Sequence, residues 1–492
     1  MLRRYAGLIL IVFGLVSACD DDDAGGGQPL AGASGSGSAG TQGGAAAGAG
    51  SGGSGGSAGS GVAGGRAGSG GSAGTSAAGS GGGSGAAAGS GGGTARPPEV
   101  CKSPLALASV TNATTVVGTG DAASCNEGAL RGAIATGGVI TFACGAKPVT
   151  IPITQTLKAS PQKDTTIDGA DLVTLDGGGT TQILSAAGSD WRANDKTLTL
   201  QRLVMMRGKS PGDGFKARDG DKKCAWGYKN GGGGALYVRD VNVHVWGVTF
   251  LDNQGPELGP DVAGGAIYAV GAKKLIIASS TFRNNRASNG GALGMLHTST
   301  ELYNVVLENN RATGQLANFA NATGCPEFNH EEQGGAGGLG GAFYSDGQDP
   351  GDVLCGVRMS DNRSGDLGGA VFRSAYWGLI SGSPKQELRW EQVTFERNES
   401  PVGGGGAGYL NNALFSLTRS RFTGNDSGES DGGALKLTGL TIQADDVEFT
   451  NNKAVVGGAV AHWSGGPDGD GSAENIRYSG NSPDDAAGNF PD

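Results

Sequence analysis

Residues 432–452 read GGALKLTGLTIQADDVEFTNN, and this stretch contains both motifs that decide the fold. It opens with Gly-Gly-Ala and an apolar residue, and it closes with Phe449 three positions before Asn452. Between the two motifs lie short apolar runs that are too brief for most helices and are separated by turn-forming residues. The stretch therefore predicts short strands bounded by tight corners.

The same pair of motifs recurs along the chain. The first motif begins at Gly233, Gly264, Gly290, Gly340, Gly368, Gly432 and Gly457, with a variant at Gly405. The second motif follows each one and ends at Asn253, Asn285, Asn310, Asn362, Asn398, Asn425, Asn452 and Asn481. The distance from first glycine to asparagine is 20 to 24 residues in seven cases and 30 in the other. A period of this length is typical of a repeat architecture with inserted loops.

One such coil cannot bury its own inner face, but coils stacked about 4.8 Å apart pair each strand with its copy in the next coil. The repeats therefore predict an all-β protein, a single-stranded right-handed parallel β-helix. Phenylalanines at one position would stack inside it. Each motif asparagine is expected to take the left-handed corner conformation and to bond to the next asparagine.

The residues before the repeats predict a cap and the opening coils. Residues 126–134 place Leu130 and Ile134 one helical turn apart, which indicates a short amphipathic helix. Such a helix can cover the open end of the β-helix, where core and strand edges would otherwise be exposed. The β-helix domain is predicted to span residues 99–492.

The N-terminus has the features of an export signal. Arg3 and Arg4 precede an apolar run over 5–18, which is too short to cross a bilayer as a helix. Residues 16–19 read VSAC and resemble the lipobox of bacterial lipoproteins. The resemblance implies a signal peptide over 1–18, lipid attachment at Cys19, and a protein held at the membrane, most simply the outer membrane with its folded part exposed at the surface.

Residues 19–98 contain an acidic start and then almost only Gly, Ser and Ala. Such residues cannot form an apolar face that would offset the entropy of ordering, so a disordered tether is expected. About 70 residues in this regime span on the order of 45–50 Å. The net charge of -10 argues against nucleic acid as a partner.

Six cysteines remain after Cys19, at 101, 125, 144, 224, 325 and 355. In an exported protein they suggest up to three disulfides, with fifteen pairings open. Cys125 and Cys144 are the preferred pair because they bracket one short helix-then-strand unit.

The paired motifs, GGA[ILV] and FxxN, resemble the repeats of the chlamydial polymorphic outer membrane proteins and related bacterial β-helix proteins. That resemblance implies membership of the pectin-lyase-like superfamily, which also contains polysaccharide lyases and hydrolases. Several of the resembled proteins are regarded as adhesins, so the resemblance implies a surface-exposed, adhesin-like role. After Asn481 only residues 482–492 follow, so lipid at Cys19 is the expected anchor.

Long insertions between motifs are the predicted binding surface, because loops carry function on repeat scaffolds. They offer aromatic and charged side chains suited to a glycan or a surface protein: Lys222, Lys223, Trp226, Tyr228, Phe328, His330 and Glu331. The alternative is that these loops merely pack on the flank of the helix.

Evidence for catalysis is weak at this level. Asp445-Asp446 is interpreted as a solvated bend, and no catalytic residues are predicted. Asp346, Asp349 and Asp352 could converge on Ca²⁺, although the same spacing is ordinary in loops; no other cofactor is expected. The first hypothesis is therefore a non-catalytic, adhesin-like binding protein. The alternatives are a polysaccharide lyase or glycoside hydrolase, and a structural envelope spacer. The sequence makes no prediction of oligomeric state.

Overall fold

The computed structural model describes residues 96–212, 231–259, 262–315, 337–347, 351–374, 386–463 and 471–491. Across these ranges the chain winds into stacked coils, and the paired strands of successive coils run parallel. The predicted parallel β-helix is confirmed. Among the described residues, no helix is long and apolar enough to cross a membrane.

Three sheets form the walls. Sheet 1 turns a corner and supplies two walls, through β1 (Thr115–Val117), β2 (Gly138–Phe142), β3 (Val149–Pro152), β5 (Thr165–Asp176), β7 (Thr197–Met206), β9 (Asn242–Trp246), β10 (Thr249–Leu251), β12 (Lys274–Ala278), β13 (Thr281–Arg283), β16 (Ser299–Tyr303), β17 (Val306–Glu308), β20 (Gly351–Cys355), β21 (Arg358–Ser360), β23 (Gln386–Glu391), β24 (Thr394–Glu396), β26 (Ala413–Thr423), β28 (Thr441–Thr450) and β30 (Gly471–Ser479).

Sheet 2 supplies the third wall and sheet 3 a narrow corner. Sheet 2 contains β4 (Leu157–Lys158), β6 (Leu184–Ala187), β8 (Leu236–Arg239), β11 (Ile267–Val270), β15 (Leu293–Leu296), β19 (Phe343–Asp346), β22 (Val371–Arg373), β25 (Gly408–Asn411), β27 (Leu435–Thr438), β29 (Val460–Trp463) and β31 (Ala486–Gly488). Sheet 3 contains β14 (Arg286–Ala287) and β18 (Arg311–Ala312).

The Gly-Gly-Ala motif makes the corner before the sheet 2 strands from β8 to β29. Gly432 has a φ of +67°, in the left-handed region that side chains rarely adopt. A Cβ on Gly433 would lie 1.9 Å from the carbonyl oxygen of Gly458 in the next coil. The first glycine is therefore required by conformation and the second by the close approach of two coils.

The motif asparagines form a continuous internal ladder. In one step, Nδ2 of Asn253 donates to Oδ1 of Asn285 at 3.0 Å, and the Asn253 backbone N–H donates to the same oxygen. The predicted amide ladder is confirmed, but the prediction that the ladder asparagines take the left-handed conformation is wrong. The left-handed residue is the one before, as at Asn284 (φ 57°) and Asn309 (φ 54°), because that residue turns outward while the ladder asparagine turns inward.

Aromatic rings stack along the inner face of the wall that contains β10, β13, β24 and the C-terminal ends of β26 and β28. Phe250 and Phe282 are stacked 4.6 Å apart, and Phe422 lies 5.2 Å from Phe395 and 5.0 Å from Phe449. These rings are completely buried in one continuous core. The predicted phenylalanine stack is therefore present.

The N-terminal end is capped and strapped. Helix α1 (Glu127–Thr136) buries Leu130, Ala133 and Ile134 against the core, as predicted. Its N-cap, Asn126, accepts from the Ala129 backbone N–H at 3.1 Å.

The described residues contain two disulfides. Cys125 pairs with Cys144, which confirms the preferred assignment. The second, Cys101–Cys355, joins residues 254 apart and fastens the segment 96–112 to β20 of sheet 1.

Candidate functional site

The residues predicted to bind a ligand lie outside the described ranges. They are Lys222, Lys223, Trp226, Tyr228, Phe328, His330 and Glu331, and the same is true of Cys19 and Asp349.

The other two members of the suggested Ca²⁺ set lie on opposite sides of the coil wall. Asp352 points inward, in register with Thr300 and Leu388, and its Oδ2 lies 3.8 Å from Nε of the buried Arg373. Asp346 points outward and accepts from the Tyr344 hydroxyl at 3.1 Å. Among the described residues, no group of three acidic, His or Cys side chains could hold a metal. Both carboxyls feel the charge of Arg373, which opposes the effect of burial on their pKa.

A different group of side chains gathers at the corner between sheet 2 and sheet 1, and we call it the corner cluster: Asp190, Trp191, Arg192, Asp240, His297 and Asp346. Asp240 is 1% exposed and follows the last residue of β8. A Cβ on Gly271, one coil further along, would lie 2.5 Å from Oδ1 of Asp240 and 2.6 Å from the Trp191 ring. Gly271 therefore leaves the space in which a buried carboxyl and an indole meet.

The cluster continues along the same corner. The Trp191 ring meets the His297 imidazole edge-on, with ring centroids 5.3 Å apart. The His297 backbone N–H donates to the Asp346 carbonyl at 2.9 Å. Trp191 is 43% exposed, and it belongs to a short bend over 189–193 that lies over the corner. Rigid strand ends thus hold Asp240, His297 and Asp346, while a surface bend presents Asp190 and Trp191.

Burial dominates the electrostatics of the cluster. It raises the pKa of Asp240 to about 6, and the charge of Asp190 raises it further, against the opposing effects of Arg239 and the Arg192 backbone N–H. Burial also raises the pKa of Asp346 to about 6. It lowers the pKa of His297 to about 4, with Arg192 contributing. The imidazole is therefore uncharged at neutral pH, and each carboxyl gains or loses its proton near pH 6.

The two poised carboxyls do not form one catalytic pair. Arg239, Val270, Leu296 and Asp346 are register partners in successive coils, so three steps separate β8 from β19. At about 4.8 Å per step this is roughly 14 Å, beyond the ~5–9.5 Å that separates the paired carboxyls of glycosidases. Asp190, whose charge acts on Asp240, is the nearer partner.

Sequence reasoning did not single out this cluster. Asp240, Gly271 and His297 follow the sheet 2 strands of consecutive coils, so alignment of the repeats would place them in one column. The bend that supplies Asp190 and Trp191 precedes the first Gly-Gly-Ala motif and has no such register.

A concave feature lies elsewhere, beside the Cys101–Cys355 disulfide. It is an open cavity of about 430 Å³, and its lining includes Lys102, Tyr303, Arg389 and Glu391. Tyr303 donates to Glu301 at 3.0 Å, and Glu391 is ion-paired with Arg419. Because Tyr303 and Glu391 already have partners, the corner cluster is the stronger candidate site.

Comparison with known proteins gives one fold-level likeness. No family model matches the chain, and no curated protein matches it. A solved structure, the catalytic domain of a GH87 alpha-1,3-glucanase in complex with tetrasaccharides, is similar over 72% of this chain, at 11% identity and a TM-score of 0.38. The match spans 59% of that catalytic domain.

This finding corrects the first functional hypothesis. The non-catalytic, adhesin-like prediction is wrong as the leading choice, because the solved structure found is the catalytic domain of a glycan-cleaving enzyme, which corresponds to the alternative. No family model supports the polymorphic outer membrane protein repeat, so the resemblance reduces to the parallel β-helix. At this level of similarity no residue or substrate is carried over.

Proposed function

We propose that this protein is a polysaccharide-cleaving enzyme of the glycoside hydrolase type, with its active site at the corner cluster. The observation that carries the proposal is Asp240, a buried carboxyl whose pKa is raised to about 6 beside a second carboxylate and an exposed indole. Two carboxyl groups whose environments push their proton affinities apart supply the acid and the base of glycoside hydrolysis.

In the proposed reaction, protonated Asp240 donates its proton to the glycosidic oxygen as the C–O bond breaks. The Asp190 carboxylate takes a proton from the water that attacks the anomeric carbon. Trp191 offers an exposed aromatic face for a sugar ring. Asp346, three coils away, would contact a neighbouring sugar along the same corner.

Access to Asp240 requires movement of the bend over 189–193. The carboxyl is buried beneath this bend, where Trp191 occupies the space above Gly271. A sugar reaches Asp240 when the bend lifts, and closure then excludes bulk water while the one attacking water is retained.

The experiment measures release of reducing ends from a panel of neutral and acidic polysaccharides by the full chain and its variants. Asp240→Asn and Asp190→Asn are each expected to lower kcat by about 100-fold or more, the usual contribution of a general acid or base. Asp195→Asn is the matched control, since Asp195 is close in sequence, its side chain is 85% exposed and it pairs with Lys273.

Two results would overturn the assignment. One is full activity of Asp240→Asn on a substrate that the parent protein cleaves. The other is products that carry a new carbon–carbon double bond, because these would identify elimination rather than hydrolysis and make the protein a lyase.

We further propose that the enzyme is exported, lipid-anchored through Cys19 and held away from the membrane by the tether over 19–98. Support comes from the VSAC motif and the Gly/Ser/Ala composition. Cys19→Ser is expected to move the protein from the membrane fraction to the soluble fraction. Retention of the variant in the membrane fraction would contradict the anchor.

A further inference from the structure

A column of side chains follows the asparagine ladder, one residue after each ladder asparagine. Parallel bridges join its neighbours, as at Lys209–Gln254, Gln254–Arg286, Arg311–Arg363 and Arg363–Glu399. Arg286 and Arg311 are register partners in sheet 3. Three arginines therefore occupy consecutive coils, and Lys209 lies two coils before the first. We call Lys209, which follows Gly208 at the start of the ladder, together with Arg286 and Arg311 the basic column.

Further along the β-helix, the charged residues that follow the ladder asparagines form ion pairs. Nη1 of Arg363 lies 2.7 Å from Oε2 of Glu399, and Nζ of Lys453 lies 3.3 Å from Oδ2 of Asp426. By contrast, Lys209, Arg286 and Arg311 are exposed and make no ion pair within the described part of the chain. The unpaired charges are thus confined to one half of the column.

The strands that precede the ladder, β13, β17, β21 and β24, show that charged side chains of neighbouring coils can form ion pairs. On the same two coils, Arg283 Nη2 contacts Glu308 Oε2 at 2.9 Å, and further along Arg358 contacts Glu396 at 2.6 Å. Like charges placed opposite each other on adjacent strands destabilise a sheet. An anion bound between Arg286 and Arg311 would relieve this repulsion.

We propose that the basic column binds a linear acidic polysaccharide that lies along the axis of the β-helix. Adjacent coils repeat at about 4.8 Å, so the three steps from Lys209 to Arg311 give a straight row of cations roughly 14 Å long. A chain with one carboxylate on each sugar presents its charges in a matching row, and the planar guanidinium forms paired hydrogen bonds with a carboxylate.

The column favours a polysaccharide over a single-stranded nucleic acid. Proteins that bind single strands combine basic grooves with aromatic platforms for the bases. The described residues that follow the ladder, including Gln254, Glu399 and Asp426, contain no aromatic side chain. The amide of Gln254, between Lys209 and Arg286, suits a sugar hydroxyl instead.

The test measures binding of the full chain to polygalacturonate by calorimetry, with neutral dextran as a comparison. All proteins carry Asp240→Asn, so the result does not depend on whether the corner cluster hydrolyses glycans. The double variant Arg286→Gln/Arg311→Gln is expected to bind about tenfold more weakly or worse, and parental binding is expected to weaken as salt increases. Arg421→Gln is the control, because that arginine is exposed but paired with Glu448.

A second variant separates a binding role from a structural one. Arg311→Glu would give the column alternating charges, so it is expected to raise the Tm while abolishing binding. Unchanged affinity of the double variant, or a fall in Tm for Arg311→Glu, would overturn the proposal. Tighter binding of single-stranded DNA than of polygalacturonate would also overturn it.

Discussion

Asp240 shows how a repeat scaffold changes the chemistry of one side chain. It is flanked along its column by Gly271, whose missing side chain lets Trp191 close over the carboxyl. The resulting burial removes water from the carboxylate and raises its pKa to about 6. The same column then carries His297, whose pKa burial lowers to about 4. Burial thus favours the neutral forms of both Asp240 and His297.

The raised pKa of Asp240 predicts a pH-dependent effect on stability. Since the folded-state pKa of about 6 lies above the ordinary 3.8, the folded protein binds this proton more tightly than the unfolded chain does. Its stabilising contribution is therefore complete below about pH 4 and is lost as pH rises through 6. Asp240→Asn removes the buried charge, so at pH 8 the variant should be more stable than the parent by on the order of 1–3 kcal/mol.

Urea unfolding of both proteins at pH 4, 6 and 8 measures this difference, which should shrink towards pH 4. Asp445→Asn, at an exposed carboxylate that accepts from Asn475, reports the effect of the same substitution at the surface. A difference between Asp240→Asn and the parent that is equal at pH 4 and pH 8 would contradict the prediction.

At the scale of the elements, the inner aromatic stack is the clearest source of stability. Phe395, Phe422 and Phe449 are in register in consecutive coils and stack face to face within 5.2 Å. Each ring fills the space above its neighbour, so a coil contributes through contact with the coils on either side.

Phe422→Ala should cost about 3–5 kcal/mol of unfolding free energy, because it leaves a cavity between two stacked rings. Tyr478→Ala, at the half-buried end of the same stack, should cost clearly less, since its ring contacts Phe449 on one side. Chemical denaturation of the two variants measures both values. Equal losses at the two positions would show that stacking between coils is not what holds the rings in place.

The elements also show what the sequence could predict. The coil, its two corners and the aromatic stack were predictable because each repeat carries the same residues at the same spacing, and the capping helix was predictable from the spacing of Leu130 and Ile134. The corner cluster was not, because Trp191 lies outside the repeat, although alignment of the repeats would place Asp240 and His297 in one column. Their proximity depends on stacking geometry and on a bend outside the repeat. The burial of Asp352 beside Arg373 was also not predicted, since Asp352 was considered as a Ca²⁺ ligand and charged residues are rarely buried unless paired.

At the scale of the whole molecule, the segment 96–112 ties distant coils together. Arg96 pairs with Asp171 at 2.6 Å and lies over the Trp246 ring at 4.7 Å. Cys101 is bonded to Cys355 several coils further along, and the Ala108 backbone N–H then returns to Gln201 at 2.9 Å. A stack of coils otherwise has contacts between neighbours only, so this strap adds long-range cooperativity.

Removing the long-range disulfide should therefore destabilise the protein more than removing the local one. In the chain-entropy model a cross-link stabilises more as its loop lengthens, by about 3 kcal/mol for 15 residues and about 4.7 for 100. Cys101 and Cys355 are 254 residues apart, whereas Cys125 and Cys144 are 19 apart. Calorimetry of the double variants Cys101→Ser/Cys355→Ser and Cys125→Ser/Cys144→Ser should give the larger fall in Tm for the first. The reverse order would mean that the strap is not a cooperative link and that the stack is held by contacts between neighbouring coils.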